Sequence, residues 1–122
     1  MDRLWIALGA VYGLLAVAFG AFGAHALKTR LSTEMLGVWH TGVEYQMYHA
    51  LALLLVGLMA RQVPGSLLDA SGACFAAGVL LFSGSLYVLA LSGIRVLGAV
   101  TPFGGLFFLA GWILLICSAT RT

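Results

Sequence analysis

Charge is what this sequence has least of. Six lysines and arginines and four aspartates and glutamates make up 8% of its 122 residues, where ordinary soluble domains carry about 25%. A soluble fold of this size needs polar surface to cover its core, and this chain does not have enough. The cations stand singly along the sequence, so no basic stripe exists to follow a phosphate backbone, and nucleic-acid binding is excluded. Cysteine is also scarce. Cys74 and Cys117 fall inside apolar runs, match no metal-ligand or redox spacing, and read as apolar filler. Their positions put both at one membrane face, which leaves a disulfide as a remote alternative. Catalytic templates are missing too: no G-x-S-x-G, no H-E-x-x-H, no paired-cysteine signature and no glycine-rich phosphate loop. The expectation is a protein that is not an enzyme and carries no metal or cofactor.

What the chain has instead is 62% hydrophobic residues, 16 glycines, only two prolines and a mean hydropathy of +1.08. That combination fits helices packed against one another in lipid, where glycine is commoner than in soluble helices. Charges divide the sequence into intervals. Residues 4–27, 70–94 and 96–120 are uncharged runs of 24, 25 and 25 residues, each long enough to cross about 30 Å of hydrocarbon. A fourth run, between Glu44 and Arg61, holds only 16, so its helix must start near Thr41 and take Glu44 into or beside the membrane. Ala24-His25-Ala26 resembles a signal-cleavage site, but the apolar run before it is too long for a signal peptide, and it reads as a retained span. Pro102 suits the first turn of the last helix.

These features predict an all-α integral membrane protein, one domain over residues 1–122, with four transmembrane helices in a compact bundle. The approximate spans are 4–25, 41–60, 70–93 and 102–120. Leu27, Leu31, Met35, Val38 and Trp39 fall within an arc of about 120° on a helix, which predicts a short helix over 27–39, either lying in the interface or packed over the bundle end. Arg3, Arg61 and Arg121 lie on the terminal side and Lys28, Arg30 and Arg95 opposite. The balance leaves the membrane orientation open, dual insertion included. Small residues recur at close-packing spacings, among them Gly9 with Gly13, Ala16 with Gly20 and Ala24, Ala73 with Ala77, and Gly104, Gly105 and Gly111. They suit contacts within the bundle or a dimer seam.

The unusual polar residues gather at one end. His25 and Lys28 close the first helix; His40, Glu44, Tyr45, Tyr48 and His49 open the second; Ser83, Ser85 and Tyr87 lie late in the third; Arg95 and Thr101 precede the fourth. From these, His25, Lys28, Glu44, Tyr45, His49, Ser83, Tyr87 and Arg95 form a candidate functional cluster. His49, well inside the span, is either functional or a neutral imidazole bonded to Tyr45, Tyr87 or a first-helix carbonyl. Glu44 is either paired with Arg95 or Lys28, or a proton-exchanging group. Thr101, Gly104 and Gly105 form a helix start able to meet an anion such as a lipid phosphate, or a plain tight helix start.

Several blocks carry a resemblance. Gly20 to Lys28, Tyr45 with His49 to Leu54, Phe82 to Tyr87, Thr101 to Gly105 and Gly111-Trp112 together look like the bacterial YgdD/YwdK-like family, domain of unknown function 423, which is related to eukaryotic transmembrane protein 256. The resemblance implies a small multi-pass protein of the bacterial cytoplasmic (inner) membrane, and brings no biochemical activity with it. Three functions follow as expectations. The first is a non-enzymatic homo-oligomer or accessory subunit of a membrane complex, partnered by lipids and its own copies. The second is a proton-linked transporter or channel using Glu44 and His49. The third is a haem- or metal-binding redox subunit using His25 and His49.

Overall fold

In the computed structural model, which describes residues 1–121, the chain forms four helices: α1 (Asp2–His25), α2 (Thr33–Gln62), α3 (Ser66–Ser92) and α4 (Thr101–Thr120). A 3₁₀ turn, Arg95–Ala99, joins the last two. All four long helices are apolar enough to cross a membrane. The order of charges along the chain explains three of them directly. Gly93 ends α3 with a φ of 72°, a left-handed cap that a side chain would strain. Pro102 sits in the first turn of α4, where its missing N–H costs nothing.

The separate helix expected over 27–39 is not there. Residues 26–32 form a turn, and α2 begins at Thr33, well before Thr41. Ser32 caps it, its hydroxyl accepting from the Met35 N–H at 3.1 Å, and no glycine pair or proline interrupts the run to Gln62. With 30 residues, α2 is about 45 Å long, so its first two turns project beyond the hydrocarbon. The apolar arc is nonetheless used. Leu27 and Trp39 are buried with Ala90, and Leu31, Met35 and Val38 pack around them; the arc folds a turn and a helix start onto the bundle end.

Each helix packs antiparallel on the next in sequence, and α2 and α3 are the more deeply buried pair. Contacts also cross the diagonals. Trp5 and Tyr12 of α1 reach α3, and His49 of α2 reaches α4. The main core joins Trp5, Leu53, Val56, Phe75, Val79 and Phe108. Lipid offers little hydrophobic drive for helix association, so close van der Waals contact must supply it. Here it comes largely from aromatic rings seated on glycines: Trp39 on Gly23, Tyr87 on Gly42, Trp5 on Gly72, Phe108 on Gly78 and Phe75 on Gly111. A β-carbon on any of these five glycines would stand within 3.0 Å of the ring. Both cysteines are free, Cys74 half-buried and Cys117 exposed.

Candidate functional site

The buried polar residues hold helix to helix. Gln46 is the hub. It is 3% exposed, its Nε2 donates to the Tyr12 carbonyl of α1 at 2.8 Å, and its Oε1 accepts from the Tyr87 hydroxyl of α3 at 2.6 Å. Tyr12 in turn donates its hydroxyl to the Ala76 carbonyl at 3.0 Å. One turn away, the Ser83 hydroxyl donates to the Gly42 carbonyl at 2.6 Å. Toward the other end, Ser71 donates to the Gly111 carbonyl at 2.8 Å, tying α3 to α4. Among the described residues, no buried side-chain nitrogen or oxygen lacks a partner.

His49 is held on all sides. Its ring lies flat on Phe108, with centroids 3.6 Å apart and 5° between planes, and Phe75 and Trp112 approach at 5.4 and 5.8 Å. The Trp112 indole N–H donates to Nε2 at 3.1 Å. An indole can only donate, so Nε2 is an acceptor, and Nδ1 carries the proton that it gives to the Tyr45 carbonyl at 2.7 Å. The imidazole is therefore neutral with both nitrogens committed. A second proton on Nε2 would set two N–H groups against each other. Replacing Trp112 with Phe removes that donor while keeping an aromatic ring, and should lower unfolding stability in micelles by about 1 kcal/mol, measured by equilibrium denaturation.

The remaining members of the expected cluster face outward. His25, Lys28 and Glu44 are exposed. Glu44 pairs with neither Arg95 nor Lys28: Arg95 bonds Glu34 at 2.9 Å, at the aqueous rim, because the early start of α2 brings Glu34 beside the 3₁₀ turn. Glu44 accepts instead from the Tyr48 hydroxyl at 3.2 Å. Glu44 and His49, five residues apart, stand about 140° apart around the helix, one exposed and one buried; they do not line a common path. His25 and His49 are also separated. The level of His49 on α1 is that of Gly9 and Gly13, which lie against Ala50, and His25 is 12 residues further, about 18 Å along the axis. Two ligands so spaced do not share an iron or copper. Among the described residues, no three His, Cys, Asp or Glu side chains come together as metal ligands.

At the start of α4, the Thr101 hydroxyl shares a hydrogen bond with Ser85 at 2.6 Å, and Gly104 is pressed against the backbone of Phe82. Of that trio only Gly105 has open space around it. Two central residues, Gln46 and Trp112, were not among the expected site. The signal for Gln46 was available, since an amide inside a span is as conspicuous as the imidazole three residues on. The partnership of Trp112 with His49 joins residues 63 apart and leaves no local trace.

The family model described as "Protein of unknown function (DUF423)" matches residues 19–105. The chain is 46% identical to the UPF0382 membrane protein YwdK of Bacillus subtilis (strain 168), over 98% of each chain. It is 48% identical to the UPF0382 membrane protein SH2409 of Staphylococcus haemolyticus, over 98% of this chain and 97% of that one. No solved structure matches it.

Proposed function

We propose that this chain, which belongs to the DUF423 family of proteins of unknown function, is a non-enzymatic membrane protein that works by assembly, as a homo-oligomer or as an accessory subunit of a membrane complex. The observation that carries the reading is the use of the buried polar groups. Gln46, His49, Ser71, Ser83 and Ser85 all make hydrogen bonds inside the chain, and among the described residues no buried side-chain nitrogen or oxygen is left without a partner for a substrate to meet. What the protein offers to other molecules is then its outer surface, above all α1 and α4, whose sides away from the bundle are lined by exposed apolar residues. The bacterial relatives, named membrane proteins, and the all-helical spans support a place in the bacterial cytoplasmic membrane. A carrier built on protonation of His49 would have to break the Trp112 bond at every cycle, and the neutral, doubly bonded imidazole argues for glue instead.

Native mass spectrometry of protein extracted gently from its own membrane tests the proposal. The expected spectrum is one defined homo-oligomer, or a complex with one stoichiometric partner. A bare monomer under conditions that preserve other membrane complexes would overturn it.

A further inference from the structure

Glu44 has no role in the internal network, and its surroundings suggest one outside it. Of the four carboxylates in the chain, Asp2 is paired with Arg61 at 3.1 Å and Glu34 with Arg95 at 2.9 Å, while Asp69 accepts from the Trp5 indole at 3.0 Å near the opposite end. Glu44 alone among the described residues has neither a cation nor an indole; its partner is the Tyr48 hydroxyl. Counting about 20 residues of hydrocarbon back from Arg61 puts the boundary near Thr41, so the Glu44 backbone stands about 4.5 Å inside it, and its side chain, tilted toward the helix N-terminus, reaches back toward the glycerol and headgroup level. A carboxylate there is costly unless a positive charge meets it.

The neighbours are suited to one. Tyr45 and Tyr48 are 39% and 52% exposed, with ring centroids 5.7 Å apart at 62°, edge to face. Tyr45 is braced from behind by Phe82 at 4.6 Å. An interfacial tyrosine belt needs no acid; a carboxylate bonded to one of two exposed tyrosines sets a negative charge beside aromatic surface, the combination that holds an alkylammonium ion, by charge and by cation–π contact within about 6 Å. We propose that Glu44, Tyr45 and Tyr48 form a lipid-facing site for the ammonium headgroup of a zwitterionic phospholipid. The charge complementarity and the depth argue for lipid as the occupant, and the site does not depend on the oligomeric reading above.

The test is competitive lipid retention. Wild type, Glu44→Gln and Tyr48→Leu are placed in micelles doped with equal amounts of phosphatidylethanolamine, phosphatidylcholine and phosphatidylglycerol, and bound lipid is read by native mass spectrometry. Both side chains point away from the bundle, so both variants should keep the wild-type melting temperature. Wild type should retain the two ammonium lipids over phosphatidylglycerol by about fivefold or more, and both variants should lose that preference. Equal retention by wild type, or an unchanged preference in Glu44→Gln, overturns the proposal. So does unfolding of both variants, which would make Glu44 and Tyr48 structural, or a dimer that dissociates on Glu44→Gln, which would make the occupant a second copy. Displacement of the lipid by millimolar ethanolamine would keep the ammonium chemistry and overturn the lipid as its source.

Discussion

Gly104→Ala should unfold or severely weaken the bundle, while Gly105→Ala, one residue along, should leave stability unchanged. A β-carbon on Gly104 would collide with the Phe82 nitrogen and stand 2.7 Å from its α-carbon. These are backbone atoms, which no rotamer change can move, so α3 and α4 would have to separate. Separation would also pull Phe108 off Gly78 and Phe75 off Gly111, since all three contacts lie on the same seam. Overpacking of a tight core costs about 1–3 kcal/mol and sometimes more, and a backbone-to-backbone clash belongs at the upper end. Nothing lies within 4 Å of the position a β-carbon would take on Gly105, and alanine favours the helix there by up to about 1 kcal/mol. Reversible unfolding of both variants in mixed micelles separates the outcomes. Equal stability of the two would mean that α3 and α4 do not approach at Gly104.

The second large effect concerns Gln46. Gln46→Leu removes two buried hydrogen bonds and leaves the Tyr87 hydroxyl facing an apolar side chain, an unmet donor that costs about 1–3 kcal/mol beyond the lost bonds. The same experiment on the double variant Gln46→Leu with Tyr87→Phe should recover part of that loss, because both partners are then gone. In membrane proteins such bonds average only about 0.6 kcal/mol by double-mutant cycles. A coupling above that average would show that a buried amide with partners on two other helices is worth more than a single interhelical bond. Additive losses would place Gln46 and Tyr87 in independent roles.

Much of the fold was legible in the spacing of charges. Three uncharged runs gave three helices to within a few residues, and the residue blocks identified the family correctly. The start of α2 was not legible, because the argument rested on where charges stop, and Glu34 lies inside the helix at the aqueous rim, where a charge carries no penalty. The amphipathic arc over 27–39 was a true packing surface read as the wrong element. The candidate site was only half legible. Counting residues from the loops gives the depth of a polar group along a helix; Glu44 and Tyr87 lie toward the end where α1 joins α2, whereas His49 stands near the middle of α2, bonded to Trp112. Depth says nothing about direction around the helix. In a soluble protein periodicity supplies that direction, but here residues facing lipid are as apolar as residues facing the core, and the signal vanishes. Only the five-residue interval between Glu44 and His49 held the information that one faces out and the other in.

The rings seated on glycines bear on how the molecule comes together during synthesis. A chain entering the membrane from its N-terminus can lay Trp39 on Gly23 as soon as two helices are inserted. Trp5, near the very start, finds its glycine at position 72 and its acceptor at Asp69, so the first helix waits with an open flank and an unspent indole N–H until the third arrives. Phe75 and Gly111 come last. Each arrival completes a surface that the previous helices left half made, and a chain cut short after α2 would lack both the Gly72 seat and the Asp69 acceptor of Trp5.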